Sequence, residues 1–126
     1  MKKQIIIVGI IVLLVTVGLS GCTSEESVLT VSSVLADKQK YDNKTINVDG
    51  YIDIRIASIY YIYHLYDSDG INYIVLDYVE PANASDADKL QLYSGLNDGD
   101  HIIVTGVFYK GKSDSLMDVI SLKKID

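Results

Sequence analysis

The most regular pattern in the chain runs from Thr45 to Ile56. Even positions carry Ile46, Val48, Gly50, Ile52, Ile54 and Ile56, and odd positions carry Thr45, Asn47, Asp49, Tyr51, Asp53 and Arg55. Side chains alternate across a strand, so this period of two predicts one face for the core and one for water. Gly50 interrupts the apolar face, as a long strand needs where it must bend sharply. Four more runs of β-forming residues follow, at Ile59–Tyr66, Ile71–Tyr78, Ile102–Tyr109 and Leu116–Lys124. Turn chemistry separates them: Asp67-Ser68-Asp69-Gly70, Asn97-Asp98-Gly99-Asp100 and Lys110-Gly111-Lys112-Ser113-Asp114. Helical spacing appears twice. Val31, Val34 and Leu35 predict a short helix with Ser32 as its cap, and Ser85–Leu96 predicts another, capped by Ser85 and ending near Gly95. Tyr41-Asp42-Asn43-Lys44 predicts a turn in which Asn43 takes the left-handed conformation.

The N-terminal pattern is of another kind. Met1-Lys2-Lys3-Gln4 precedes an unbroken apolar run from Ile5 to Leu19, then Ser20-Gly21-Cys22. A charged start, an apolar stretch shorter than the roughly 20 residues of a membrane crossing and small residues at its end are the parts of an export signal. Leu19-Ser20-Gly21-Cys22 resembles the lipobox of bacterial-type lipoproteins. That resemblance implies cleavage before Cys22 and lipid on its sulfur, where a thiolate is the natural nucleophile. The alternative is an uncleaved anchor with a buried thiol. In both cases the remainder is expected outside the cytoplasm, held to the membrane. The predicted organisation is a signal peptide at 1–21, a lipidated Cys22 with a polar tether to residue 29, and one domain at 30–126.

The order within that domain is strand, strand, strand, helix, strand, strand. This is the chain order of the OB-fold, a five-stranded barrel with a helix between its third and fourth strands. The expected class is therefore all-β with one or two short helices. Two segments also look familiar. "YDNKTINVDGYI" resembles the approach to the first strand in tRNA-anticodon-like OB domains, and "LNDGDHIIVTGVF" resembles their fourth strand. The likeness spans roughly Val31 to Ile125, with Asn43 where the family usually has Gly. With the lipobox, the chain resembles small prokaryotic OB-domain lipoproteins. The resemblance is informative about fold and poor for function, because this fold hosts many ligands. The haem chaperone of cytochrome c maturation is also a membrane-anchored OB barrel, but its haem-attaching histidine has no counterpart in the ending Leu122-Lys123-Lys124-Ile125-Asp126.

Charge then narrows the ligand. Removing residues 1–21 takes away Lys2 and Lys3 and no acid, leaving nine Lys and Arg against seventeen Asp and Glu, a net charge of −8. The first three strands and their turns hold one basic residue, Arg55, beside Asp49, Asp53, Asp67, Asp69 and Asp77. Phosphate backbones are bound by Lys and Arg that release counterions, so this balance argues against nucleic acid. With Cys22 as the only cysteine, no intrachain disulfide can form.

Tyrosine is the compositional anomaly: ten Tyr, one Phe and no Trp. OB-folds bind oligonucleotides and oligosaccharides on the face of strands two and three, where rings stack on bases or sugars or anchor a protein partner. Tyr51, Tyr61, Tyr63 and Tyr73 are the candidate binding residues. Tyrosine is also a good strand former that fills half-buried sheet positions without any ligand. Adjacent Tyr60 and Tyr61 must face opposite ways. Asn43-Lys44-Thr45 and Asn83-Ala84-Ser85 are sequons that make Asn43 and Asn83 glycosylation candidates, with chance as the alternative. No catalytic set, cofactor motif or metal-ligand spacing is visible. His64 and His101 lack partners at ligand spacing, and Asp67-Ser68-Asp69-Gly70 lacks the later ligands of a calcium loop. The expectation is a non-enzymatic, membrane-anchored binding module for an envelope protein or glycan, with single-stranded nucleic acid as the alternative ligand.

Overall fold

A computed structural model describes residues 27–125. The expected signal peptide at 1–21, Cys22 and most of the expected tether lie outside the described residues. Strand β1 (Val28–Thr30) runs into helix α1 (Val31–Ala36) and helix α2 (Lys38–Tyr41). Strands β2 (Lys44–Ala57), β3 (Tyr60–Tyr66) and β4 (Tyr73–Val79) form an antiparallel meander. A 3₁₀ turn (Ala84–Asp86) leads into helix α3 (Ala87–Leu92), and strands β5 (His101–Tyr109) and β6 (Leu116–Lys124) follow. The sheet order β2-β3-β4-β6-β5 closes through pairing of β5 with β2. The result is a five-stranded mixed barrel, the OB-fold anticipated from the strand order.

Strand β2 makes closure possible. Its first half, from Lys44 to Tyr51, pairs with β5, and its second half, from Tyr51 to Ala57, pairs with β3. The hand-over falls at Gly50 and Tyr51. A Cβ on Gly50 would lie 2.7 Å from the Tyr66 carbonyl oxygen and 2.8 Å from Leu65 Cγ, so only glycine fits at this bend. Gly106 plays the same part on β5, beside a register shift against β6, where a Cβ would run into the Asp118 carbonyl. Inside the barrel, Val48, Ile52, Leu65, Ile74, Ile102, Val104, Phe108 and Met117 are fully buried, and Val31 and Val34 of α1 join them.

Asn43 has a φ of 65°, as its place in the turn before β2 predicts. The structure also alters several local expectations. Val28 and Leu29, assigned to the tether, belong to β1 and pair in parallel with Asn47 and Val48. The α1 cap is Thr30, which forms a reciprocal capping box with Ser33; Ser32 instead bonds the Asp67 carboxylate. The expected 85–96 helix is shorter. Asn83 rather than Ser85 caps its start, accepting from Ser85 N at 3.0 Å, and the helix ends at Leu92 before Gly95 turns the chain at φ 86°. Ile71 lies outside β4 and is 76% exposed, because the Asp69 carboxylate holds Ile71 N and Asn72 N within the turn. That carboxylate is thereby committed to the hairpin and held below its ordinary pKa, chiefly by those two backbone donors.

Candidate functional site

Alternation along β3 splits its aromatic residues between two environments. Tyr61, Tyr63 and Leu65 point inward, while Ile62, His64 and Tyr66 point outward. Tyr63 is 4% exposed and stacks on Tyr93, which follows α3, with ring centroids 3.7 Å apart and planes within 2°. Tyr61 packs edge-on to Tyr63 at 6.4 Å and lies half-buried against the core. The Tyr93 hydroxyl donates to Asp77 Oδ2 at 2.6 Å, and Lys89 Nζ donates to Asp77 Oδ1 at 2.6 Å. This buried carboxylate pins α3 across the barrel mouth. Burial, with Asp77 second, pushes the Tyr93 phenol far above its ordinary range; the Asp77 hydrogen bond raises Lys89. Of the four candidate tyrosines, Tyr61 and Tyr63 are therefore committed to packing, and Tyr63 is closed to any ligand.

The other two candidates lie on the outer surface, and cross-strand register brings them into one row. His101 on β5 opposes Tyr51 on β2, Tyr51 opposes Tyr66 on β3, and Tyr66 opposes Tyr73 on β4. Tyr51 stacks on His101 at 4.6 Å and 16°, and Tyr66 stacks on Tyr73 at 5.3 Å and 19°. His101 Nε2 is held 2.5 Å from Asp49 Oδ1, and the Tyr73 hydroxyl donates to Asp114 at 3.2 Å. That bond raises the Tyr73 phenol pKa. Both ends of the row are thus fixed by carboxylates. His64 sits beside it, 4.8 Å from Tyr73 and 6.2 Å from Tyr66. Neither of its ring nitrogens has a hydrogen-bond partner among the described residues. Burial holds its pKa below the ordinary value, so at neutral pH it extends the aromatic surface as an uncharged ring.

A shallow cleft of about 300 Å³ opens beside the row, lined by Tyr51, Asp53, Arg55, Tyr66, Gly70 and Asp98. Its far wall exists because β5 begins at His101, opposite Tyr51, while β2 continues to Ala57. The loop before β5 covers the exposed edge instead. Ile52 N donates to the Asp100 carbonyl at 3.0 Å, Gly99 N to the Ile52 carbonyl at 2.7 Å, and Ile54 N to Asp98 Oδ1 at 2.7 Å. Asp53 and Arg55 form an ion pair at 2.7 Å on the cleft floor, with the arginine side chain 63% exposed.

Tyr66, which belongs to the tyrosine-rich run of the second predicted strand, is not among the four candidates, and His64, His101 and Asp98 were not anticipated at all. Tyr66 was recoverable, since it shares parity with His64 and points to the face opposite that of its neighbour Leu65, which is buried. The two residues from β5 and its preceding loop were not, because their position depends on barrel closure. Asn43 and Asn83 are both exposed, and Asn83 Oδ1 is engaged in capping. Among the described residues no three His, Cys, Asp or Glu side chains are grouped to hold a metal, and no helix is long and apolar enough to cross a membrane.

No protein-family model matches the chain, and no curated protein matches it by sequence. Solved structures do resemble it. The hypothetical protein ygiW from E. coli superposes with a TM-score of 0.52 at 22% identity, over 87% of this chain and 100% of that one. OBody AM3L15, bound to hen egg-white lysozyme, gives 0.53 at 14% identity, over 73% and 91%. A Leishmania major chain assigned as an aspartyl-tRNA synthetase gives 0.56 at 12% identity, over 86% of this chain but 23% of its own length. At these identities the likeness shows the OB-type barrel and nothing finer.

Proposed function

We propose that this chain is a non-enzymatic binding module, anchored outside the cytoplasm by lipid on Cys22, which holds an envelope protein or glycan on its outer aromatic face. The observation that carries this reading is the row His101–Tyr51–Tyr66–Tyr73, four rings aligned by register across four strands. A structural role explains Tyr63 and Tyr93, which fill the core. It does not explain rings stacked on the water side of the sheet, where Tyr51 is 38% exposed. Exposed, pre-stacked aromatic side chains cost little conformational entropy on binding and supply large contact area. The OBody bound to lysozyme illustrates that a barrel of this shape can present a protein-binding surface. Single-stranded nucleic acid would use the same rings, but the face carries Asp49, Asp53, Asp98 and Asp114 against Arg55 and Lys38, a net negative balance and the wrong sign for phosphates.

The test is site-specific photocrosslinking in intact cells. A photoreactive phenylalanine analogue at position 51, 66 or 73 is expected to trap an envelope component, and the same group at Asn83 is not. Absence of adducts at all three positions removes the face from consideration. In the same cells, Cys22→Ser is expected to move the protein from the membrane to the soluble fraction; retention in the membrane refutes lipid anchoring.

A further inference from the structure

The cleft beside the aromatic row has a chemistry that narrows the ligand class. This step rests on the binding-face reading above and goes one stage further. Four carboxylates touch the row or line its cleft: Asp49, Asp53, Asp98 and Asp114. Two cations lie among them: Arg55 pairs with Asp53, and Lys38 lines a hollow with Tyr73 and Asp114 at the other end of the row. Asp98 faces the cleft with one oxygen on the Ile54 amide and no ion-pair partner among the described residues. A polyanion is repelled here. A neutral glycan would use the ring faces and leave the surplus negative field without a counterpart. A cation uses both features, because the face of a tyrosine ring attracts an ammonium or guanidinium within about 6 Å, and carboxylates at the rim accept its N–H donors.

The row also has a length. Three inter-strand steps of about 4.8 Å make it about 14 Å long, the span of about four extended residues. We propose that the partner is a polypeptide: a basic segment lies across the row and places a Lys or Arg side chain in the cleft between Tyr51, Tyr66, Asp53 and Asp98. Electrostatic complementarity of this kind selects partners and speeds encounter, while the ring contacts set residence time.

The experiment uses the full chain in neutral-detergent micelles with fluorescein-labelled hexalysine as probe and cellohexaose as the neutral glycan. Any acidic protein attracts hexalysine weakly, so the variants carry the decision. Tyr66→Leu leaves the charge unchanged and is expected to weaken hexalysine binding about 5- to 10-fold, the size of one partly desolvated cation–π contact. Tyr66→Phe keeps a ring and is expected to retain binding. Asp98→Asn is expected to weaken it more than Asp88→Asn, an equal charge change on the exposed surface of α3. Wild-type affinity in Tyr66→Leu, or equal losses in the two Asp variants, overturns the proposal, since binding is then diffuse attraction. Tyr66-dependent binding of cellohexaose without site-specific hexalysine binding overturns the polypeptide and leaves the face intact. If neither probe moves the Tyr51 and Tyr66 ring resonances, the basic-segment partner is refuted, and crosslinking at positions 51, 66 and 73 decides the face itself.

Discussion

Tyr63 and Tyr66 stand three residues apart on one strand, and the fold places them in opposite environments. Tyr63 stacks flat on Tyr93 inside the barrel mouth, over a carboxylate already satisfied by Tyr93 and Lys89. Tyr66 stacks on Tyr73 outside, in a row whose hydrogen-bonded carboxylates sit at its ends. The inner pair has complete packing and no access. The outer row has order and access, the combination a recognition surface requires. Identical side chains thus acquire different surroundings from which side of a pleat they occupy.

The largest expected effect tests the inner half of that contrast. Tyr63→Ala removes a buried ring and should lower unfolding free energy by about 3–5 kcal/mol, in line with other large aromatic deletions. Urea denaturation reads this as a lower midpoint at similar slope. A loss below about 1 kcal/mol would mean the barrel mouth is not packed as described.

Asp77→Ala comes next. It leaves the Tyr93 hydroxyl buried without its acceptor, at a cost of about 1–3 kcal/mol. Asp53→Ala, on the outer face, breaks an exposed ion pair worth no more than about 1 kcal/mol. Equal costs for the two changes would erase the distinction between a structural and a surface carboxylate.

His64 gives a smaller, pH-dependent effect. Burial lowers its pKa in the folded protein below the ordinary 6.5, with Asp53 partly opposing. As pH falls below about 6.5 the unfolded chain takes up a proton that the folded chain resists. The His64 contribution to stability is therefore fully present above that value and declines as the pH drops towards 5. His64→Leu should flatten the profile in thermal melts across this window. A profile that stays as steep in the variant would assign the slope to other groups.

The smallest effect on stability belongs to Tyr66→Ala, within about 0.5 kcal/mol of wild type as for other changes away from the core. The same variant should lose the crosslinks described above. Stability lost with binding unchanged would move Tyr66 to the inner class and remove the functional half of the comparison.

The sequence by itself determined what depends on short stretches of chain. Period two over Thr45–Ile56, glycine at the bend, left-handed Asn43 and the order of strands around a helix were all legible, because sterics and alternation act within a few residues. The sidedness of β3 was not legible. Tyr60-Tyr61-Ile62-Tyr63-His64-Leu65-Tyr66 carries large amphipathic groups on both faces, so alternation separates two sets without marking which is buried. The structure settles it by covering one set with α3 and Tyr93 and leaving the other against water. The burial of Asp77, counted with the other acids of the first three strands, was hidden for the same reason, since its partners Lys89 and Tyr93 reach it only when the helix folds over the barrel. His101 enters the row, and Asp98 the cleft, only because β5 and the loop before it close against β2. Those contacts span 44 and more residues of chain, and no local pattern encodes a pairing that distant.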